Sequence, residues 1–337
     1  MKSLSLPLCD AGRLNGLVAL ADAVALIQAG APLAIAGRPE ALAQLPQGRW
    51  IAGTTPYFMT AEGGQVIDAT RVFVTDLSGL GGVSVGTYDA DSLHLISEEA
   101  PENGFALAII PFQSAVHERF AREASTYPQA FLKPTVGWIA GFDLAEAGGH
   151  ALVYDGLTGT AHANRVAVMH VELPEEYLPQ VEIVNLFEAD GVDVIRFEEA
   201  GFAPAQVVVN GQSQLFADYV RGRGLADGRL PLVGDYAGAR VNASIRAVEG
   251  DSVSLYAPVF PGINYAFARP VADYAAAFRD QLEATPHEGA LWSCNCILNF
   301  LYGELEGKAI GGVAGPVTFG EIAYQLVNQT LVQLRAI

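Results

Sequence analysis

Sulfur is scarce in this chain: three cysteines and three methionines stand among 337 residues. A lone cysteine, Cys9, and a late Cys-x-Cys pair, Cys294 and Cys296, do not resemble a secreted disulfide framework. Lysine is nearly absent, with Lys133 and Lys308 among very few, and no Arg/Lys cluster offsets a formal charge of −18. Duplex nucleic acid would be repelled by such a chain. No apolar run free of charge and turn residues reaches the ~18 residues of a spanning helix. The N-terminus MKSLSLPLCDAGRLNG lacks the long apolar segment of a signal peptide. These absences make a cytoplasmic protein without a membrane span the expectation. Charged residues make up 17% and hydrophobic residues 51%, so the chain can bury large cores and is not disordered. Its length suits two domains or one large layered unit.

What is present is a succession of short strand patterns with a few helical ones. LNGLVALADAVALIQAG, from Leu14, reads as a helix that Gly30 can end. Strands are expected at 31–37, 48–59, 71–77 and 104–113, and shorter ones in VSVGTYD and SLHLI. Helical spacing is expected from Ser114 to about Ala124, over 212–224 and over 270–284. A turn falls at Asn210–Gly211. The period of AYQLVNQTLVQL (323–334) does not decide between strand and helix. The class is α/β or α+β, mixed sheets with packed helices.

Three stretches carry chemistry. In ALWSCNC (290–296), a metal site needs about four ligands. The pair supplies two, and His287 is the nearest companion. A dithiol normally has Cys-x-x-Cys spacing. On a strand, Trp292, Cys294 and Cys296 share a face, and buried thiols are ordinary packing. A nucleophilic or ligand-facing Cys294 is the remaining reading. In AGPVTFGEI, Glu321 at a strand end reads as a general base, a partner for a ligand amine or guanidinium, or an exposed turn acid. Thr318 adds a hydroxyl. In TTPYFMTAEGG, Thr54, Thr55 and Tyr57 can hydrogen-bond a ligand and Phe58 cover its apolar part, or the stretch is a capped turn. With the aromatic loop 261–270, these would suit a flat or apolar ligand. A haem needs an axial ligand, for which His117, His162 and His170 are nominal candidates. No His-x-x-x-His, Gly-x-Ser-x-Gly or phosphate-loop lysine is present.

Taken in order, several motifs resemble the FIST domain, a bacterial sensory and signal-transduction module with N- and C-terminal halves. IAGTTPYFMTAEGG stands where the family has a strand entering a Gly-x-Ser/Thr-x-Gly-Glu-like turn, with Pro56 and Tyr57 replacing small residues. VGWIAGFDLAEAGG and ALVYDG follow, then AVEGDSVSLY, the 270–284 helix, WSCNCILNFLYG and AIGGVAGPVTFGEI. Asn295 and Cys296 depart from the Gly-Arg that commonly follows Ser-Cys there.

The resemblance implies two FIST-like halves sharing a cleft. The N-terminal part would span 1–133 and the second part 134–337, with its C-terminal-like region from about 205. The cleft would be lined near Thr55, Asp143, Cys294 and Glu321, with Thr54, Tyr57 and Thr318 beside them. It also implies a small-molecule sensor in signal transduction that works through a separate signalling protein or a homo-oligomeric contact. The alternative is an enzyme acting on a small amide, ester or lactone with Cys294 as nucleophile or Glu321 as base. A haem-based sensor is a third reading.

Overall fold

The computed structural model describes residues 13–146, 148–236, 239–284, 289–310 and 312–337. Cys9 and His287 lie outside them. Among the described residues, four six-stranded sheets and one two-stranded hairpin carry the fold, with short helices packed on them.

Alternation sets the layers. In Leu33–Gly37, Leu33 and Ile35 face one way and Ala34 and Ala36 the other, as the two-residue period of a strand requires. Leu33 and Ile35 pack with Ala23, Ile27 and Leu42 from the helices Leu20–Gln28 and Pro39–Leu42. Ala34 and Ala36 face an inner core with Phe73, Leu107, Trp138 and Met169. The strand Gly104–Pro111 is buried throughout, because it has a sheet on one side and a helix on the other. Phe105, Leu107 and Ile109 join the inner core; Ala106, Ala108 and Ile110 join Val116 and Phe120 of the helix Ala115–Glu123. The local order is therefore helix, sheet, sheet, helix.

Among the described residues three parallel strand pairs sit in otherwise antiparallel sheets near the motifs singled out above, the first being Leu33–Gly37 with Trp50–Thr54. Gly104–Pro111 runs parallel to Thr135–Ala140, and Ala290–Cys296 parallel to Gly315–Thr318. The chain leaves one sheet at Trp50–Thr54 and enters another at Tyr57–Thr60, changing sheets across Thr55 and Pro56. Strands from either side of residue 133 pair directly, Ala108 opposite Gly137 and Gly53 opposite Val153.

Several local expectations need correction. The segment from Leu14 does not start as a helix: Asn15–Ala19 is a strand paired with Arg71–Asp76, and the helix begins at Leu20. SLHLI is not a strand, since Leu95–Glu98 is helical and follows a 3-10 turn at Ala90–Ser92 capped by Asp89. The 212–224 segment opens as the strand Gln212–Leu215 before the helix Phe216–Gly222. The undecided C-terminal segment is two strands, Gln325–Val327 and Leu331–Ala336. The turn at Asn210–Gly211 is present, with both residues at positive φ, 51° and 84°, the two-residue hairpin geometry that Asn-Gly favours. Among the described residues no helix is long and apolar enough to cross a membrane.

Candidate functional site

Glu321 opens the strand Glu321–Ala323 directly opposite Trp138 and is 0% exposed. Its Oε2 accepts the Thr330 amide at 3.2 Å and the Thr330 hydroxyl at 2.8 Å. Thr318 Oγ1 lies 3.5 Å from Oε1, and 3.1 Å from the Gly320 carbonyl. Among the described residues no cation pairs with this carboxyl. Burial therefore dominates and pushes Glu321 up to about 8, although hydrogen bonds from Thr330, Cys296 and Thr318 pull the other way. At neutral pH the group is a carboxylic acid. Its own O–H can then donate to Thr318 Oγ1, leaving the threonine proton for Gly320.

The cysteines lie beside it. Ala290–Cys296 is a strand, and Trp292 and Cys294 enter the inner core, where Trp292 stacks on Trp138 at 6.0 Å. Cys294 Sγ donates to the Gly137 carbonyl at 3.5 Å. Cys296 belongs to the neighbouring core with Ile297 and Val317. Both are fully buried, and burial, then the nearby Glu321, drives both thiols well above their ordinary range. Thiolate chemistry has no support in such a setting. Neither Cys294 nor Cys296 is expected to react with iodoacetamide at neutral pH until the chain is denatured. Peptide mapping that finds stoichiometric native labelling at either would contradict this.

Polar contacts run outward from this acid. Thr318 Oγ1 is 3.4 Å from the Asn295 carbonyl. The Asn299 side-chain amide donates to Asn295 Oδ1 at 2.8 Å, and the Tyr274 phenol donates to Asn299 Oδ1. On a second branch Asn328 Nδ2 reaches Cys296 Sγ at 3.8 Å, and Asn242 Nδ2 donates to the Asn328 carbonyl at 3.1 Å. Ser244 donates to Gln329 Oε1 at 2.9 Å. Asn295 Nδ2 and Asn328 Oδ1 are buried without a hydrogen-bond partner, each at a cost of roughly 1–3 kcal/mol. Tyr274 and Gln329 form the outer ends of this cluster. They line a cleft of about 390 Å³ with Phe187, Leu225, Arg229 and Tyr302.

The N-terminal candidates form a second group. Thr54 Oγ1 donates to the Gly141 carbonyl at 2.6 Å and accepts the Leu152 amide at 2.9 Å. Thr55 Oγ1 donates to the Val317 carbonyl at 2.6 Å and accepts the Tyr57 amide at 3.2 Å. The Tyr57 phenol donates to Asp143 at 3.2 Å, and Arg38 pairs with Asp143 at 2.5 Å. The hollow beside Thr54, Thr55 and Asp143 holds only about 50 Å³. The structure thus brings Cys294, Thr318 and Glu321 together, and Thr54, Thr55, Tyr57 and Asp143 together. Thr55 joins the two groups through Val317, the residue before Thr318.

Tyr274, Asn295, Asn299, Asn328 and Gln329 were not singled out as site residues by the sequence reading. A signal existed: Asn328-Gln329-Thr330 is a polar triplet inside an apolar segment, and each of the three is at most 2% exposed. Among the histidines, His170 Nε2 lies 2.9 Å from the Ile96 carbonyl, His162 ends the short strand Thr160–His162, and His117 lines a separate cavity. Among the described residues no group of three or more His, Cys, Asp or Glu is placed to hold a metal ion.

No curated protein matches the chain. The sequence model of one family, described as a family of unknown function (DUF6976), matches residues 18–337, and the chain belongs to that family.

Proposed function

We propose that the chain is a small-molecule-binding protein whose ligand enters the cleft over Tyr274 and Gln329, and that binding serves sensing rather than catalysis. One observation carries the reading: a cleft of about 390 Å³ is lined by the outer ends of a buried polar cluster with the fully buried Glu321 carboxyl at its inner end. The volume lies within the range of about 300–1,000 Å³ common for ligand sites. Phe187, Leu225, Pro270 and Val271 supply apolar walls, and the Arg229 guanidinium lies 5.8 Å from the centre of the Tyr302 ring. Such a lining suits a planar ring carrying an uncharged amide, carbonyl or hydroxyl turned toward Tyr274 and Gln329. Arg229 and Asp227 also line the cleft, so the lining carries both signs of charge and favours neither an anion nor a cation.

The enclosed, un-ionised Cys294 and Glu321 favour binding over a hydrolase or transferase reading. The motif order resembling the FIST domain leads to the same class of function. In that reading the cleft sits within the second part of the chain, and the signal passes to a separate protein or across a subunit contact.

Ala272 is exposed at the rim of the cleft, so Ala272→Trp should plug it and leave the fold intact. Native mass spectrometry should find a small molecule retained by the wild type and absent from Ala272→Trp, with unchanged circular dichroism. The same adduct on both proteins would place the ligand elsewhere.

A further inference from the structure

A second cavity, of about 240 Å³, lies between the start of the Ala115–Glu123 helix, the Ile245–Glu249/Ser252–Leu255 hairpin and the segment at Phe202. It shares no lining residue with the Tyr274 cleft. Its chemistry is set by three features that no part of the fold explains.

The first is His117, a helix residue only 2% exposed. Its Nδ1 accepts the Gln113 amide at 3.2 Å, so the neutral ring must carry its proton on Nε2. That Nε2–H has no hydrogen-bond partner. A buried donor left in this state costs roughly 1–3 kcal/mol, and burial alone holds the ring neutral, with its pKa lowered to about 3. Gln113, which supplies the fixing amide, sits at φ 59°, a left-handed conformation unusual for a side-chain-bearing residue. The histidine is thus fixed as a donor with nothing to donate to.

The second is the flanking of the imidazole by aromatic rings, Phe112 at 5.6 Å and Phe202 at 5.3 Å. The third is Arg246, exposed on the hairpin and lining the same cavity, with no ion pair among the described residues. Two of the other polar groups nearby are committed, while the exposed Gln113 side chain also lines the cavity. Glu118 pairs with Arg122, and Ser114 Oγ donates to the Pro111 carbonyl and accepts the His117 amide. A free cation is notable in a chain of formal charge −18.

We propose that this cavity is a binding site for a small aromatic carboxylate. The ring lies against Phe112 and Phe202, one oxygen accepts the His117 Nε2–H, and the carboxylate faces Arg246. Neutral His117 contributes direction and Arg246 contributes charge, so the site selects an anion with an apolar body over an inorganic anion.

Benzoate is the test probe, with benzamide and inorganic phosphate as controls. Titration of ¹⁵N-histidine-labelled protein should move the His117 Nε2 resonance with benzoate and leave it unmoved with phosphate. Benzamide should bind at least tenfold more weakly than benzoate. Arg246→Gln, a surface change, should weaken benzoate at least tenfold, bringing it close to benzamide. His117→Phe should weaken benzoate binding at least tenfold, read by calorimetry because the variant lacks the reporting imidazole. If that variant fails to fold, the wild-type resonance and Arg246→Gln still decide. No movement of the His117 resonance at saturating benzoate, or equal benzoate affinity in wild type and Arg246→Gln, would overturn the proposal.

Discussion

Between about pH 6.5 and 8 the protein should lose roughly 2 kcal/mol of stability, at about 1.4 kcal/mol per pH unit, and Glu321→Gln should remove that slope. Glu321 has an ordinary value of 4.5 and is raised to about 8 in the fold. Across that interval the folded chain holds a proton that the unfolded chain has released. Stability therefore falls as pH rises from about 4.5 and levels off above about 8. His117 works with the opposite sign, because burial lowers it from 6.5 to about 3. Its contribution falls as pH drops below 6.5 and is constant above it. His162 and His170 are lowered in the same direction as His117, so the difference between wild type and Glu321→Gln across 6.5 to 8 isolates Glu321. Glutamine keeps the shape, accepts the two Thr330 hydrogen bonds and cannot ionise. Urea midpoints measured across this window should decline for the wild type and stay level for Glu321→Gln. A level wild-type profile would mean that the carboxyl is already ionised.

Gly137→Ala should prevent folding, at a cost above about 4 kcal/mol. Gly137 sits at φ 148°, and an added Cβ would meet the Ala108 carbonyl oxygen at 1.8 Å. That oxygen belongs to the parallel neighbour, while Ile322 of the strand opened by Glu321 pairs on the other side. Backbone hemmed in by backbone cannot shift as a flexible side chain can. The Gly137 carbonyl also receives the Cys294 thiol, so this glycine fixes how closely the cysteine strand and the Glu321 strand approach. Gly222→Ala is the control, since a Cβ there meets nothing within 4 Å and the residue is helical. It should be neutral or stabilising by up to about 1 kcal/mol. Soluble Gly137→Ala with a wild-type urea midpoint would contradict the packing described here.

Much of the fold is legible where local pattern and burial agree. Leu33–Gly37 alternates and is a strand. Asn210–Gly211 is a hairpin turn. The helix Tyr274–Glu283 starts where Asp273 can cap it, its side chain accepting the Ala276 amide at 2.9 Å. Strand spacing placed Trp292, Cys294 and Cys296 on one face; Trp292 and Cys294 do share one core, but Cys296, the last residue of the strand, packs in the neighbouring one. Local pattern fails where distant pairing decides. Asn15–Ala19 has the apolar spacing of a helix, yet Arg71–Asp76 captures it as an edge strand.

The candidate site was less legible for the same reason. A glutamate after glycine at a strand end looks like an exposed turn acid or a ligand partner. Its burial depends on Thr330, nine residues on, folding back to supply two hydrogen bonds. Tyr274 reads as one more aromatic on an alanine-rich helix. Only the approach of Asn299 makes it the outer end of a polar chain. Thr54 and Thr55 were legible as polar groups at a strand end, but their hydroxyls are taken by Gly141 and Val317 where the chain changes sheets.

The central claim is that the cleft over Tyr274 and Gln329 binds a ring-bearing, uncharged small molecule. Saturation-transfer NMR with a set of aromatic amides, run in parallel on the wild type and Ala272→Trp, measures this directly. The account predicts transfer to members of the set from the wild type and its loss in Ala272→Trp. Equal transfer from both proteins, or none from the wild type, would contradict it.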